Sequence, residues 1–280
     1  MSDSCKYYKE YHQVSYDGGN TFQFMNPLEY RKGDFIGEST RECLTKQPLT
    51  FISQESGNTF TFTSPLDADC NPIIASVQYS TNGGSTWRTL RSGESSPSIT
   101  KGGKIMWRAN FFDTTVTRFS TLGRFTSTKK FEAEGNINSL FYKEDFSGQT
   151  NGLYFMGLFS GCTGLTTAEN LILPALDVTG VTSSAYENMF RDCTNLTTAP
   201  ELPAYFIGLS CYKRMFYGCS SLNYIKCTAA EVHWVGGVHK PTEEWVVGVP
   251  SNGIFIKTEG ANWWMDYDNG IPEGWIVINA

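Results

Sequence analysis

Histidines, cysteines, acidic loops and clustered tryptophans are the residues in this sequence whose types could do chemistry. His12, His233 and His239 are the three histidines, and none has the one-turn helical spacing of a metalloprotease pair. His233-Trp234 lies near His239 and could hold a metal ion weakly, but a surface loop is the better reading. Asp67-Ala-Asp69-Cys-Asn71 begins like a calcium loop. Pro72 then stands where the sharp turn needs glycine, and Gln78 where a bidentate glutamate is needed. Asp266-Tyr-Asp268-Asn-Gly270 reads as a turn. No glycine loop able to cradle phosphate and no nucleophile elbow is present. The expectation is a protein without catalytic residues, metal or cofactor.

Cysteines stand at 5, 43, 70, 162, 193, 211, 219 and 227, with no Cys-x-x-Cys among them. The N-terminus lacks an apolar stretch, so it does not read as a secretory signal, and an untrimmed product with reduced thiols is expected. Trp234, Trp245, Trp263, Trp264 and Tyr267 crowd the C-terminal part. An exposed indole can stack on a sugar or anchor a protein interface. Trp263, Trp264 and Tyr267 are therefore the candidate binding residues, against the plainer alternative that they cover the end of a core. If that segment is extended, neighbouring Trp263 and Trp264 point to opposite faces, leaving one exposed.

The elements that position these residues divide the chain. Residues 48–130 alternate with a period of two. Thr59–Thr63, Ser76–Ser80 and Ile105–Ala109 are rich in β-branched and aromatic types, with turn signals at Asn82-Gly-Gly, Ser95-Ser-Pro and Lys101-Gly-Gly. Short strands so spaced predict an antiparallel sandwich. Ser15-Tyr-Asp17-Gly-Gly-Asn-Thr21-Phe22 and Ser80-Thr-Asn82-Gly-Gly-Ser-Thr86-Trp87 share one pattern. It predicts a tight hairpin whose aromatic pins the loop to the layer below. The pattern resembles the Asp-box hairpin of sialidase-type propellers. A propeller needs four or more repeating blades, and two copies with scattered arginines favour a sandwich hairpin.

From residue 155 the chain repeats itself. Phe155-Met-Gly-Leu-Phe-Ser-Gly-Cys162-Thr-Gly-Leu165, Tyr186-Glu-Asn-Met-Phe-Arg-Asp-Cys193-Thr-Asn-Leu196 and Tyr212-Lys-Arg-Met-Phe-Tyr-Gly-Cys219-Ser-Ser-Leu222 share one frame, 31 and then 26 residues apart. The extra residues of the longer interval are expected around Glu169-Asn170 and in 178–183. Leu173-Pro-Ala and Leu202-Pro-Ala lie between copies. A coil of this length cannot bury its own apolar face, so a stacked solenoid is predicted. Its ladders are Phe159, Phe190 and Phe216; Cys162, Cys193 and Cys219; and Leu165, Leu196 and Leu222. Residues 131–150 are expected to close the front of the stack and 226–280 the back. Within the back, Trp245–Lys257 reads as a strand pair around Ser251-Asn-Gly.

The repeat frame, with Leu-Pro-Ala between copies, resembles the BspA-like leucine-rich-repeat proteins of Bacteroidales. Gly253-Ile-Phe-Ile-Lys257 through Gly270-Ile-Pro-Glu-Gly-Trp275 is similar to the terminal segment of those proteins. Pro48–Phe51 through Trp87 is similar to the immunoglobulin-like module that precedes such repeats. Residues 1–47 resemble tyrosine-rich Asp-Gly-Gly segments from the same bacteria and their phages. The fold class is thus mainly β: an N-terminal hairpin or docking segment (1–47), an Ig-like antiparallel β-sandwich (48–130), and a short capped leucine-rich-repeat solenoid (131–280; repeats about 155–225, cap 226–280).

The resemblance implies attachment rather than turnover, by binding a host-surface glycan or protein. With 22 basic against 28 acidic residues, net charge is −6, which disfavours nucleic acid and anionic membrane as main partners. Bacterial members of the family carry a secretion signal or lipoprotein cysteine, whereas Cys5 follows no apolar region. Similar modules on phages of these hosts need no signal. The expectation is therefore a non-enzymatic virion protein, as a head or tail fibre or a capsid decoration, assembled with other virion proteins or with itself as a homo-oligomer. A bacterial cell-surface adhesin is the alternative, and a sialidase-like glycan enzyme the third.

Overall fold

The computed structural model describes residues 44–111, 122–144, 146, 154–174, 184–204, 206–232, 240–266 and 268–280, with 13–14 and 23–24 as backbone. His12, His233, His239, Cys5, Cys43, Trp234, Tyr267, residues 178–183 and the first Asp-Gly-Gly motif lie outside the described residues. The two backbone segments, β1 (Gln13–Val14) and β2 (Gln23–Phe24), pair antiparallel.

Alternation of apolar and polar residues makes the first half an antiparallel sheet. β3 (Thr50–Ser53), β5 (Ser76–Ser80), β6 (Arg88–Arg91), β7 (Lys104–Arg108) and β9 (Phe131–Asn136) run in the order β6-β5-β7-β3-β9. A second layer, β4 (Thr61–Thr63) paired with β8 (Arg124–Thr126), faces it. The rings of Phe51 and Trp107 from the first layer meet Phe125 of the second at 5.2 and 4.9 Å between centroids. A short helix, α1 (Ser139–Tyr142), docks through Ser139. Its hydroxyl accepts from the Leu49 N–H and donates to the Trp107 carbonyl.

The second half grows from β9. This strand pairs antiparallel with β3 on one side and parallel with β10 (Leu165–Thr167) on the other. Beyond β10 lie, all parallel, β12 (Thr198–Leu202), β14 (Tyr224–Cys227), β16 (Ile254–Lys257) and β17 (Ile276–Asn279). β11 (Leu171–Ile172) follows β10 after a jog at Glu169-Asn170 and also pairs with β9. β13 (Phe206–Ile207) and β15 (Glu231–Val232) form a small parallel pair beside the ladder. One mixed sheet of eleven strands therefore crosses residue 130, where the composition changes. The junction is clamped by buried Glu134, whose Oε1 accepts from Lys104 Nζ and Gln47 Nε2 at 2.8 Å each.

The opposite side of each coil is neither strand nor helix. Alternate N–H groups fold back to the carbonyl three residues earlier, as in Glu187 to Ser184, Met189 to Tyr186 and Arg191 to Asn188. The intervening ones reach the next coil: Tyr186 to Cys211, Asn188 to Lys213, Phe190 to Met215 and Asp192 to Tyr217. Both needs of the backbone, local turn and neighbour, are met in one ribbon. The geometry returns to left-handed backbone every fourth residue: Ser184, Asn188 and Asp192 at φ 61°, 56° and 58°, then Ser210, Arg214 and Gly218 at 53°, 52° and 74°. Gly164 answers a different demand. A Cβ there would strike the carbonyls of Ser127 and Lys129, where the first coil abuts the antiparallel half. The later copies carry Asn195 and Ser221 at that place.

Two expectations are corrected. Trp245–Lys257 is not a strand pair. Residues 240–248 form a fourth ribbon, bonded to the third through Phe216 to Trp245 and Gly218 to Val247, and β16 is a single parallel rung. Trp245, Val246 and Gly248 occupy the places of Met215, Phe216 and Gly218, and Gly248 keeps φ 83°. The second correction concerns Trp87, which does not enter the core. It is half-buried on the sheet's outer face, with the Arg108 guanidinium 4.1 Å above its ring. Arg108 leaves one face of β7 while Trp107 takes the other, so the indole finds a cation rather than the core.

Candidate functional site

Two columns of rings run through the ladder. Phe155, Tyr186 and Tyr212 stack at 6.0 Å per step; Phe159, Phe190 and Phe216 stack at 5.5 and 5.7 Å, with interplanar angles of 3° and 9°. Trp245 receives both columns, at 6.3 Å from Tyr212 and 6.0 Å from Phe216. At the front, Phe159 lies 5.9 Å from Phe51, joining the ladder core to the antiparallel half. Leu165, Leu196 and Leu222 are fully buried, one per coil.

The cysteines are placed by a hydrogen bond as well as by size. The thiols of Cys193 and Cys219 donate to the carbonyls of Phe159 and Phe190 in the preceding coil, at 3.0 Å each, and Cys162 faces the Ser127 carbonyl. Burial pushes the Cys162 and Cys227 thiols up to about 12, and those of Cys193, Cys211 and Cys219 upward as well. Such thiols carry almost no thiolate at neutral pH, so they pack rather than react. Cys70 is free and exposed.

The acidic loops spend their oxygens on their own backbone. Asp67 Oδ1 accepts from the N–H groups of Asp69 and Asn71, both at 2.9 Å. Asp266 Oδ1 accepts from those of Asp268 and Asn269. Burial alone would raise the Asp266 carboxyl, but these bonds outweigh it and hold it below its ordinary value. Asn82 does the same work in its hairpin, its Oδ1 accepting from Ser80 Oγ and the Thr86 N–H. Among the described residues no group of three His, Cys, Asp or Glu side chains is placed to hold a metal ion.

The predicted binding tryptophans sit at the far end of the columns. Trp263 packs on Trp245 at 5.3 Å and on Phe255 at 5.2 Å. Its Nε1 donates to the Ala229 carbonyl. Trp264 stacks on Trp263 at 6.4 Å and donates to Asp266 Oδ2. Their segment is not a strand, so the two rings lie on one side instead of alternating, and both are half-buried. Trp263 thus serves to cover the core, and Trp264 forms the outer layer.

Sequence reasoning missed the apolar residues around them. Met265, Ile276 and Val277 are 48%, 58% and 38% exposed, three of the five large exposed apolar side chains among the described residues. Val277 is the most informative. It continues the core-facing row of Ile225 and Phe255, both fully buried, yet it remains partly exposed. An Ile-Val-Ile run reads as a strand buried on both faces, so the sequence held no signal for this exposure. The site that results is an end face: an apolar rim over an aromatic core, with one free strand edge. No protein-family model, curated protein or solved structure matches the chain.

Proposed function

We propose that the chain is a non-enzymatic structural and adhesion protein of a phage virion, a head or tail fibre or a capsid decoration, that binds host-surface glycan or protein. In this reading residues 48–130 are an Ig-like sandwich, and residues 131–280 a short leucine-rich-repeat solenoid of the BspA-like kind. The observation that carries the proposal is the unbroken run of ring contacts, edge-on or tilted at Phe51–Phe159 and Phe216–Trp245 and stacked between, from Phe51 through Phe159, Phe190 and Phe216 to Trp245 and Trp263. A core continuous from end to end makes a stiff spacer, and a spacer presents a contact surface at a fixed distance from its mount. The half-buried Trp264 and its apolar rim suit such a contact, since aromatic anchors that a partner fully desolvates dominate binding, and an apolar rim helps exclude water from them. Mass spectrometry of purified particles tests the placement: the chain should appear with the capsid and tail proteins, and its absence from particles overturns it. Binding of the purified chain to host cells, weakened by Trp264→Ala, tests the adhesion role.

A further inference from the structure

The mixed sheet has two outer edges, and they differ in kind. At one end lies β6, whose Arg88 and Arg91 are exposed and whose Arg91 N–H is taken by the Glu94 carboxylate. Charged side chains and self-satisfied backbone are how natural sheets blunt an edge. At the other end lies β17. The N–H groups of Ile276 and Ala280 point inward, to the carbonyls of Gly253 and Lys257 on the β16 side. By the alternation of a parallel strand, the N–H and C=O of Val277 and Asn279 point outward. No strand among the described residues pairs with that edge. It carries no charge from Ile276 to Asn279, and Ile276 and Val277 are exposed beside it.

We infer that β17 is the dimerisation edge of this protein, and that its occupant is β17 of a second copy, paired antiparallel about a two-fold axis. Charge decides the choice among copies. Joining β6 to β6 would set arginine against arginine. Joining β6 to β17 would leave free edges at both ends and grow an open filament, whereas the two-fold joint closes. The β17 edge meets its own copy without like charges, although the whole chain carries −6. The register follows from the outward groups: Val277 exchanges bonds with Asn279 of the second copy, and Ile278 lies opposite its own equivalent. This arrangement adds a strand alongside Val277, the partly exposed member of the core-facing row, and Ile276 beside it. The inference rests on the geometry of one edge and is independent of where the protein resides.

Sedimentation equilibrium of the full chain at micromolar concentration should give twice the 31.3 kDa chain mass. Val277→Pro removes only an outward N–H, and Ile276→Lys places a charge on an exposed site, so each should weaken the dimer about tenfold or more while leaving in place the melting temperature of the single chain, measured at concentrations too dilute for dimerisation. Ile278→Cys should cross-link two copies under mild oxidation where the parent chain does not. A single-chain mass at every concentration overturns the inference, as does a dimer untouched by Ile276→Lys with no cross-link through position 278. Neither result bears on whether particles contain the chain.

Discussion

Gly218 and Asp192 occupy the same place in successive coils, and both have left-handed backbone, at φ 74° and 58°. An L side chain there costs roughly 1–2 kcal/mol, a cost that aspartate partly relieves and alanine does not. A Cβ on Gly218 would also press on the Asp192 carboxylate. Gly218→Ala should therefore destabilise the protein by about 1–2 kcal/mol in denaturant unfolding. Asp192→Gly gives up only an exposed ion pair with Arg191 and should stay within about 1 kcal/mol of the parent. The repeat frame showed the glycine and aspartate but not their reason. Arg214 and Glu244, also left-handed, are residue types that hide the position entirely.

At the scale of the element, the thiol ladder makes a sharper prediction. Each buried cysteine sits behind a coil that must open before reagent can reach it. A native-state alkylation followed by peptide mapping should label Cys70 at once and leave Cys162, Cys193, Cys211, Cys219 and Cys227 unlabelled until denaturant is added. Labelling of Cys193 in the folded protein would contradict the burial and the bond to Phe159. The stacking positions were readable because three copies repeat Phe, Cys and Leu at fixed offsets. The fourth coil was not, because Val246 and Val249 replace the phenylalanine and cysteine while only Gly248 survives as punctuation. Nor was the turn ribbon foreseeable as such, since its period matches neither the two of a strand nor the 3.6 of a helix.

For the whole molecule, the decisive feature is that β9 belongs to both halves. Composition placed a boundary at 130, but the sheet and the ring packing pass through it. Phe51 touches Phe60, Trp107, Phe125 and Phe131 within its own half and Phe159 in the first coil. Phe51→Ala should cost about 3–5 kcal/mol. It should lower one common melting transition, seen alike by calorimetry and tryptophan fluorescence. Two separate transitions, only one of them shifted, would show that the halves unfold independently.

The direction of the backbone bonds between coils has a mechanical consequence. On both the strand side and the ribbon side they lie along the stacking axis, so a pull along that axis loads one rung at a time instead of shearing many together. Under tension the ladder would pay out chain coil by coil, in steps of the 26 to 31 residues that separate Phe159, Phe190 and Phe216. A fold that yields in stages absorbs extension that one failing all at once would not.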